Sequence, residues 1–205
     1  MICVVDYGVG NIQAFLNVFK RLGVEARRAD TPDALSHAVR LVLPGVGHFD
    51  HAIQRLNDSG MRPKLEELVL GSQVPVMGIC VGMQMLAQGS DEGSLPGLNW
   101  VPGRVRAFAT QPKSADLPMP HMGWNELQPR DQSKLFSKGF EEAPQFYFLH
   151  SYFFDAEDKR DVAATASYGL DFDAVVSRGH IHGVQCHPEK SHHWGEQLLK
   201  NFVEL

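Results

Sequence analysis

Along the first half of the chain, short apolar runs alternate with stretches whose apolar residues recur every three or four positions. Ile2 to Val5 reads as a strand. Asn11 stands where a helix cap belongs, and Ile12, Phe15, Leu16, Phe19 and Leu22 fall at helical spacing behind it. Leu41 to Leu43 and Val74 to Met77 are further apolar runs, separated by the helix-compatible stretch His48 to Leu70. Strands alternating with helices predict an α/β fold with a central, mostly parallel sheet covered by helices. Beyond Trp100 the rhythm changes. Val101 to Phe108, Gln145 to Leu149, Ala163 to Tyr168, Ala174 to Arg178 and His180 to Gln185 are strand-like and close together, with a hairpin turn at Arg178-Gly179-His180. The C-terminal half is therefore expected to be β-rich and partly antiparallel. A last helix, His192 to Val203, places Trp194, Leu198, Leu199 and Phe202 on one face.

Three loops at predicted strand ends carry reactive groups, which is where sites in open α/β sheets lie. Gly78-Ile79-Cys80-Val81-Gly82 joins the run ending at Met77 to a helix-like stretch, Met83 to Ala87. This is the layout of a nucleophile elbow with cysteine as nucleophile. Flanking glycines permit the sharp turn, and N–H groups opening the next helix favour a thiolate. The alternative is a buried structural cysteine in a Gly-containing loop. Near the C-terminus, a strand delivers His187, and Glu189 follows two residues later across Pro188. A thiol needs a base and the base an orienting group. Pro188 is expected to keep this segment extended, so that both side chains leave one edge. The plainer reading is a solvated His-Pro-Glu turn. Finally, Pro44-Gly45-Val46-Gly47 ends the strand at Arg40 to Leu43 and can aim N–H groups at an oxyanion, or can be an ordinary β-to-α loop.

Taken with Gln84 and with the run His187-Pro188-Glu189-Lys190-Ser191, these segments resemble the class I, triad-type glutamine amidotransferases. Pro120-His121-Met122-Gly123-Trp124-Asn125 and Phe146-Tyr147-Phe148-Leu149-His150-Ser151-Tyr152 are similar to the members that serve histidine biosynthesis. The likeness runs from Asp6 to Phe202 with the segments in family order. The resemblance implies glutamine hydrolysis through a Cys80 thioester, with His187 as base and Glu189 orienting it. It implies an oxyanion site at Gly45, Val46 and Val81, and glutamine contacts from Gln84, Glu92, Ser151 and Tyr152. It implies delivery of ammonia to a (β/α)₈ cyclase subunit in a heterodimer, with Trp124, Tyr147 and Lys190 near that interface. The Pro44 to Gly47 turn is expected to be the switch, a peptide rotation at Gly45-Val46 aiming an N–H into the oxyanion hole. A paralogous subunit feeding another synthase, such as one making an amidino sugar, would share these motifs. A non-catalytic binding protein of the same fold would be expected to lose Cys80, His187 or Glu189.

Composition bounds the rest. With 205 residues and 43% hydrophobic residues, the chain can bury a substantial core. No repeat or linker divides it, so one domain spanning residues 1–205 is expected, with 111–120 as a surface loop. The net charge of −5 and the lack of a dense Lys/Arg run argue against nucleic acid. No apolar run approaches the ~20 residues that span a bilayer. Three cysteines cannot all pair, and the N-terminus reads as a strand with no secretory leader, so reduced thiols in a cytoplasm are expected. No cofactor is called for. Asp6-Tyr7-Gly8-Val9-Gly10-Asn11 opens like a dinucleotide fingerprint, but Gln13 stands where the third glycine belongs. His180, His182, His187, His192 and His193 lack the spacing of a second ligand cluster, so no metal is expected. Cys186 should point away from the side of the strand that carries His187.

Overall fold

The computed structural model describes residues 1–205. Strand β1 (Ile2–Val5) is buried at every position and leads to helix α1 (Ile12–Arg21), where the Asn11 side chain caps by accepting from the Ala14 N–H at 3.3 Å. Strand β2 (Ala26–Ala29), with two arginines and no apolar alternation, has no signal in the sequence pattern; it forms by backbone pairing on the outer edge of β1. Next come β3 (Arg40–Gly45), α2 (Phe49–Asp58), α3 (Arg62–Glu66), β4 (Val76–Cys80) and α4 (Val81–Gln84). The expected stretch His48 to Leu70 is thus two helices. Gly60, at φ +70°, and the Pro63 ring divide it, since neither fits a continuing helix.

The second half supplies β5 (Gly89–Ser90), β6 (Gly103–Ala107), β7 (His121–Glu126), β8 (Gln128–Pro129), β9 (Gln145–His150), β10 (Tyr152–Ala156), β11 (Val162–Tyr168), β12 (Leu170–Arg178), β13 (Ile181–Val184) and α5 (His192–Glu204). One mixed sheet runs β2-β1-β3-β4-β13-β12-β10-β6-β5, with β11 and β8 branching from β12. From β2 to β13 all pairings are parallel; from β13 to β6 all are antiparallel. The Gly179-His180 turn joins β12 to β13 as the pattern predicts, with Gly179 at φ +60°. Strands β7 and β9 form a separate antiparallel ribbon.

The parallel strands β1, β3 and β4 are almost wholly buried, as strands covered on both faces must be. A contiguous cluster of buried apolar side chains extends from Ile2 to Phe202, so both kinds of sheet share one core. Strand β13 borders the two. It brings the C-terminal segment alongside β4, with Val184 opposite Ile79, one residue short of Cys80. The three reactive loops thereby meet at one end of the sheet.

Candidate active site

Cys80 sits at φ 55° and ψ −112°, a conformation that costs a non-glycine residue energy and persists only where its surroundings impose it. Two glycines do so. A Cβ on Gly82 would lie 1.9 Å from the Leu43 carbonyl oxygen, and one on Gly78 would lie 2.5 Å from the Gly82 carbonyl oxygen. β3, β4 and α4 converge here with backbone against backbone, and Gly45 pairs directly with Cys80 across the β3–β4 ladder. The strained dihedrals belong to the cysteine itself, and the glycines supply the space that lets it adopt them.

The helix after the elbow is shorter than the sequence suggests. It ends at Gln84, whereas the pattern pointed to Met83–Ala87. After Gln84 the chain tightens: the Leu86 and Ala87 N–H groups bond the carbonyls three residues back, on Met83 and Gln84, at 3.0 and 3.1 Å, and a returning loop then takes up the next carbonyls, with Leu98, Trp100 and Asn99 N–H groups on Met85, Leu86 and Ala87 at 2.8, 2.9 and 3.0 Å.

On the other side of the cavity, the segment after β13 is not extended. Pro188 opens a single 3₁₀ turn, Pro188–Lys190, because its fixed φ and missing N–H suit a first helical position. The turn still makes His187 and Glu189 converge: Nδ1 and Oε1 are 2.8 Å apart, with both side chains about 5% exposed. Burial opposes a charge on His187, but the Cys80 thiol and the Glu189 carboxylate outweigh it and push the imidazole up to about 9. The His187 N–H donates to the Tyr147 carbonyl at 2.9 Å. The Ser191 hydroxyl donates to the His187 carbonyl at 2.7 Å and accepts from the Tyr147 N–H at 3.0 Å, fixing the turn on β9.

A cavity of about 320 Å³ joins these parts; its walls include Val46, Cys80, Val81, Gln84, Glu92, Ser151, Tyr152, His187 and Lys190. Gly45 lies beneath this lining, against Gly82. Gln84 is buried, donating to the Tyr152 carbonyl at 3.2 Å and to Gln185 Oε1 at 3.1 Å. Glu92 also has a structural role, because its Oε2 accepts the first N–H of α2, from Phe49, at 2.8 Å. Tyr152 feels burial and the nearby Glu92 and Asp91 charges, which raise its phenol. Trp124 and Tyr147 are outside the cavity. Trp124 stacks on His192 with centroids 5.3 Å apart, and Lys190 Nζ lies 5.6 Å over the Tyr147 ring, linking that aromatic face to the cavity rim.

Gln185 had no place among the expected site residues, yet its Nε2 is 3.8 Å from Cys80 Sγ. The signal was its place directly after β13 and two residues before His187, on the segment the strand delivers to the cavity. Tyr7 was missed as well. Its hydroxyl donates to the Pro44 carbonyl at 2.7 Å, anchoring the Pro44-Gly47 turn, and nothing local in the sequence announces a contact across 37 residues. Cys186 is fully buried outside the cavity lining. The other histidines disperse: His180 bonds the Val69 carbonyl, His182 bonds Ser177, and His193 packs on Trp194. A larger cavity, about 780 Å³ beside Pro75, His180 and His182, lies at the opposite ends of β4 and β13 and contains no part of this constellation.

With that geometry in hand, the chain can be set beside known proteins. The family model described as Glutamine amidotransferase class-I matches residues 3–205. Curated relatives include the imidazole glycerol phosphate synthase subunit HisH of Bdellovibrio bacteriovorus, 56% identical over all 205 residues of both chains. The subunit of the same name in Leptospira borgpetersenii is 45% identical, again over the full length of each. Among solved structures, one titled as a glutamine amidotransferase superposes with a TM-score of 0.77 over 99% of this chain and 97% of that one, at 18% identity. PurLQS from Thermotoga maritima gives 0.69 over 99% and 97%, at 18% identity; both likenesses speak to fold alone.

Proposed function

The chain belongs to the class-I glutamine amidotransferase family, and we propose that it is the glutaminase subunit of an imidazole glycerol phosphate synthase, releasing ammonia from glutamine for a cyclase partner in histidine biosynthesis. The observation that carries the chemistry is the His187–Glu189 pair facing a strained cysteine across one cavity. His187, its basicity raised by Glu189 and Cys80, takes the thiol proton. The thiolate attacks the side-chain carboxamide carbon of glutamine. Backbone N–H groups at Val81 and around Gly45-Val46 stabilise the tetrahedral oxyanion. The imidazolium returns its proton to the departing nitrogen, and ammonia leaves a γ-glutamyl thioester on Cys80. Water, deprotonated by His187, then releases glutamate and the free thiol. Gln84, Glu92, Ser151 and Tyr152 hold the substrate's amino-acid end.

The partner is a (β/α)₈ cyclase docked on the face carrying Trp124, Tyr147 and Lys190. Trp124 and Met122 are 47% and 64% exposed, costly for large apolar side chains unless another surface covers them. Lys190 belongs both to this face and to the cavity wall, giving ammonia a short path into the partner. No helix is long and apolar enough to cross a membrane, which fits work in the cytoplasm.

The test is glutamate release by the chain alone, with the cyclase, and with the cyclase plus its ribonucleotide ligand, each beside Cys80→Ala. Strong activation in the full mixture, abolished in the variant, supports the proposal. Activity indifferent to that partner would move the assignment to a paralog serving another synthase, and a Cys80 that glutamine analogues do not label would indicate a non-catalytic chain.

A further inference from the structure

Two buried histidines that the mechanism does not use, His121 on β7 and His150 at the end of β9, lie opposite each other in the ribbon. His121 Nδ1 is 2.9 Å from His150 Nε2. Fixed groups at either end determine where the protons are. On the outer side, the Glu126 N–H donates to Asn125 Oδ1 at 2.8 Å, and Asn125 Nδ2 donates to the Ser167 carbonyl at 2.8 Å. The nitrogen that faces His121 Nε2 at 3.2 Å is therefore the amide donor, and His121 Nε2 accepts. The His121 proton must then reside on Nδ1 and be donated to His150. On the inner side, His150 Nδ1 is 2.7 Å from the Tyr152 carbonyl, which can only accept, so that nitrogen carries the His150 proton. The two assignments, made from opposite ends, agree.

The chain continues inward. The Tyr152 carbonyl also accepts from Gln84 Nε2, whose amide reaches Gln185, and Gln185 reaches Cys80 Sγ. Both rings have to be neutral, because an imidazolium would set N–H against N–H. Burial does this, lowering His121 to about 4 and His150 to about 3. Aromatic stacking holds the rings in place: His121 lies between Phe148 and Tyr168, with centroids 5.1 and 4.2 Å away. Alternation along β7 puts His121 and Asn125 on the strand side opposite exposed Met122 and Trp124.

We infer that His121 and His150 form a directional positioning relay, which couples the placement of β7 to the Ser151-Tyr152 substrate segment and to the amides beneath Cys80. The inference deepens the proposed function and rests on it for the identity of the substrate. A break in the relay leaves the Tyr152 carbonyl held by Gln84 alone, which loosens the Ser151-Tyr152 segment and weakens glutamine binding while leaving the nucleophile and its base in place.

Two measurements on the complex with the cyclase test this. The first is the ring nitrogen signature of the ¹⁵N-labelled wild-type chain at neutral pH. Both rings should be neutral Nδ1–H tautomers; an Nε2–H tautomer or an imidazolium at either position overturns the relay. The second is kinetic. His121→Phe keeps the aromatic stack and removes both hydrogen bonds; it should raise the KM for glutamine about tenfold while kcat changes less than about threefold. Asn125→Asp, at a half-exposed position, gives up the bond to the Ser167 carbonyl but should draw the His121 proton to Nε2 and raise KM in the same direction, its fold checked by thermal unfolding. An unchanged KM in either folded variant, or a loss confined to kcat, overturns the inference. A wild-type complex with no glutaminase activity would sink the proposed function instead, and the ring signatures would still decide the relay's direction.

Discussion

The elbow side and the histidine side of the cavity are built by opposite means. On the elbow side, β3, β4 and α4 meet as bare backbone, with Gly78 and Gly82 packed against carbonyl groups and no side chain able to adjust. On the histidine side, the backbone is a loop after β13 and a two-stranded ribbon, and side chains do the holding: Glu189 on His187, Ser191 on both His187 and Tyr147, Gln185 on Gln84. The first design fixes Cys80 by exclusion of volume. The second fixes His187 by hydrogen bonds, each of which can be removed singly. The elbow should therefore fail all at once, and the histidine side by degrees.

The largest effect expected is that of Gly82→Ala. Its Cβ would overlap the Leu43 carbonyl, a backbone atom that cannot swing aside, so β3 or the elbow must move. A loss of about 1–3 kcal/mol or more in urea unfolding should accompany near-complete loss of glutamate release. An active, fully stable variant would show that the elbow has slack and would collapse the contrast.

Next comes Glu189→Gln, which keeps the shape of the pair and removes its charge. Glutaminase activity should fall at least ~10²-fold, since the imidazole loses the carboxylate that supports its charged form. The pH dependence has a definite sign. His187 is raised from 6.5 to about 9 in the folded chain, so the stability it contributes is complete below pH 6.5 and is lost as pH rises through about 9. Wild-type unfolding free energy should decline across that window, and the variant should decline less. Equal slopes in urea titrations over that range would contradict the electrostatic account.

Ser191→Ala should be milder. It deletes a buried hydroxyl with two backbone partners, leaving the Tyr147 N–H unpaired, at a cost of about 1–3 kcal/mol. Thermal unfolding would shift by several degrees, with activity reduced yet measurable. If Ser191→Ala were as inactive as Gly82→Ala, the histidine side would be as brittle as the elbow.

The same contrast explains what the sequence made legible. The elbow's determinants lie within five consecutive residues, and the apolar runs of β1, β3 and β4 need only burial on both faces, so spacing alone exposed them. His187 and Glu189 were also visible as a short pattern, although the proline between them suggests an extended chain, whereas it opens a turn. What escaped depends on contacts between distant segments. Strand β7 alternates weakly and exists through β9, with His121 meeting His150 across 29 residues. Strand β10 begins at Tyr152, within the expected substrate segment, and is defined by its pairing with β6. Tyr7 anchors Pro44 from the far end of β1. Such residues carry no local signature, because the physics that selects them is the geometry of the finished sheet.

The smallest effect expected sharpens the comparison most cleanly, because it sets the thiol at the elbow against a thiol beside the base. Cys186 immediately precedes His187, yet it is completely buried outside the cavity lining, and that burial, with the nearby Glu189 charge, holds its thiol well above the ordinary range. Cys80 faces the cavity. Cys186→Ala removes the thiol and adds no atom at this buried site, so stability should fall by only about 0.5–1.5 kcal/mol and glutamate release should stay at the wild-type level. A haloacetamide should modify one cavity thiol at the same rate in both proteins. Loss of activity in this variant would mean that the packing behind His187 positions the base as strictly as backbone contact positions Cys80. The histidine side would then owe its geometry to volume as well as to hydrogen bonds.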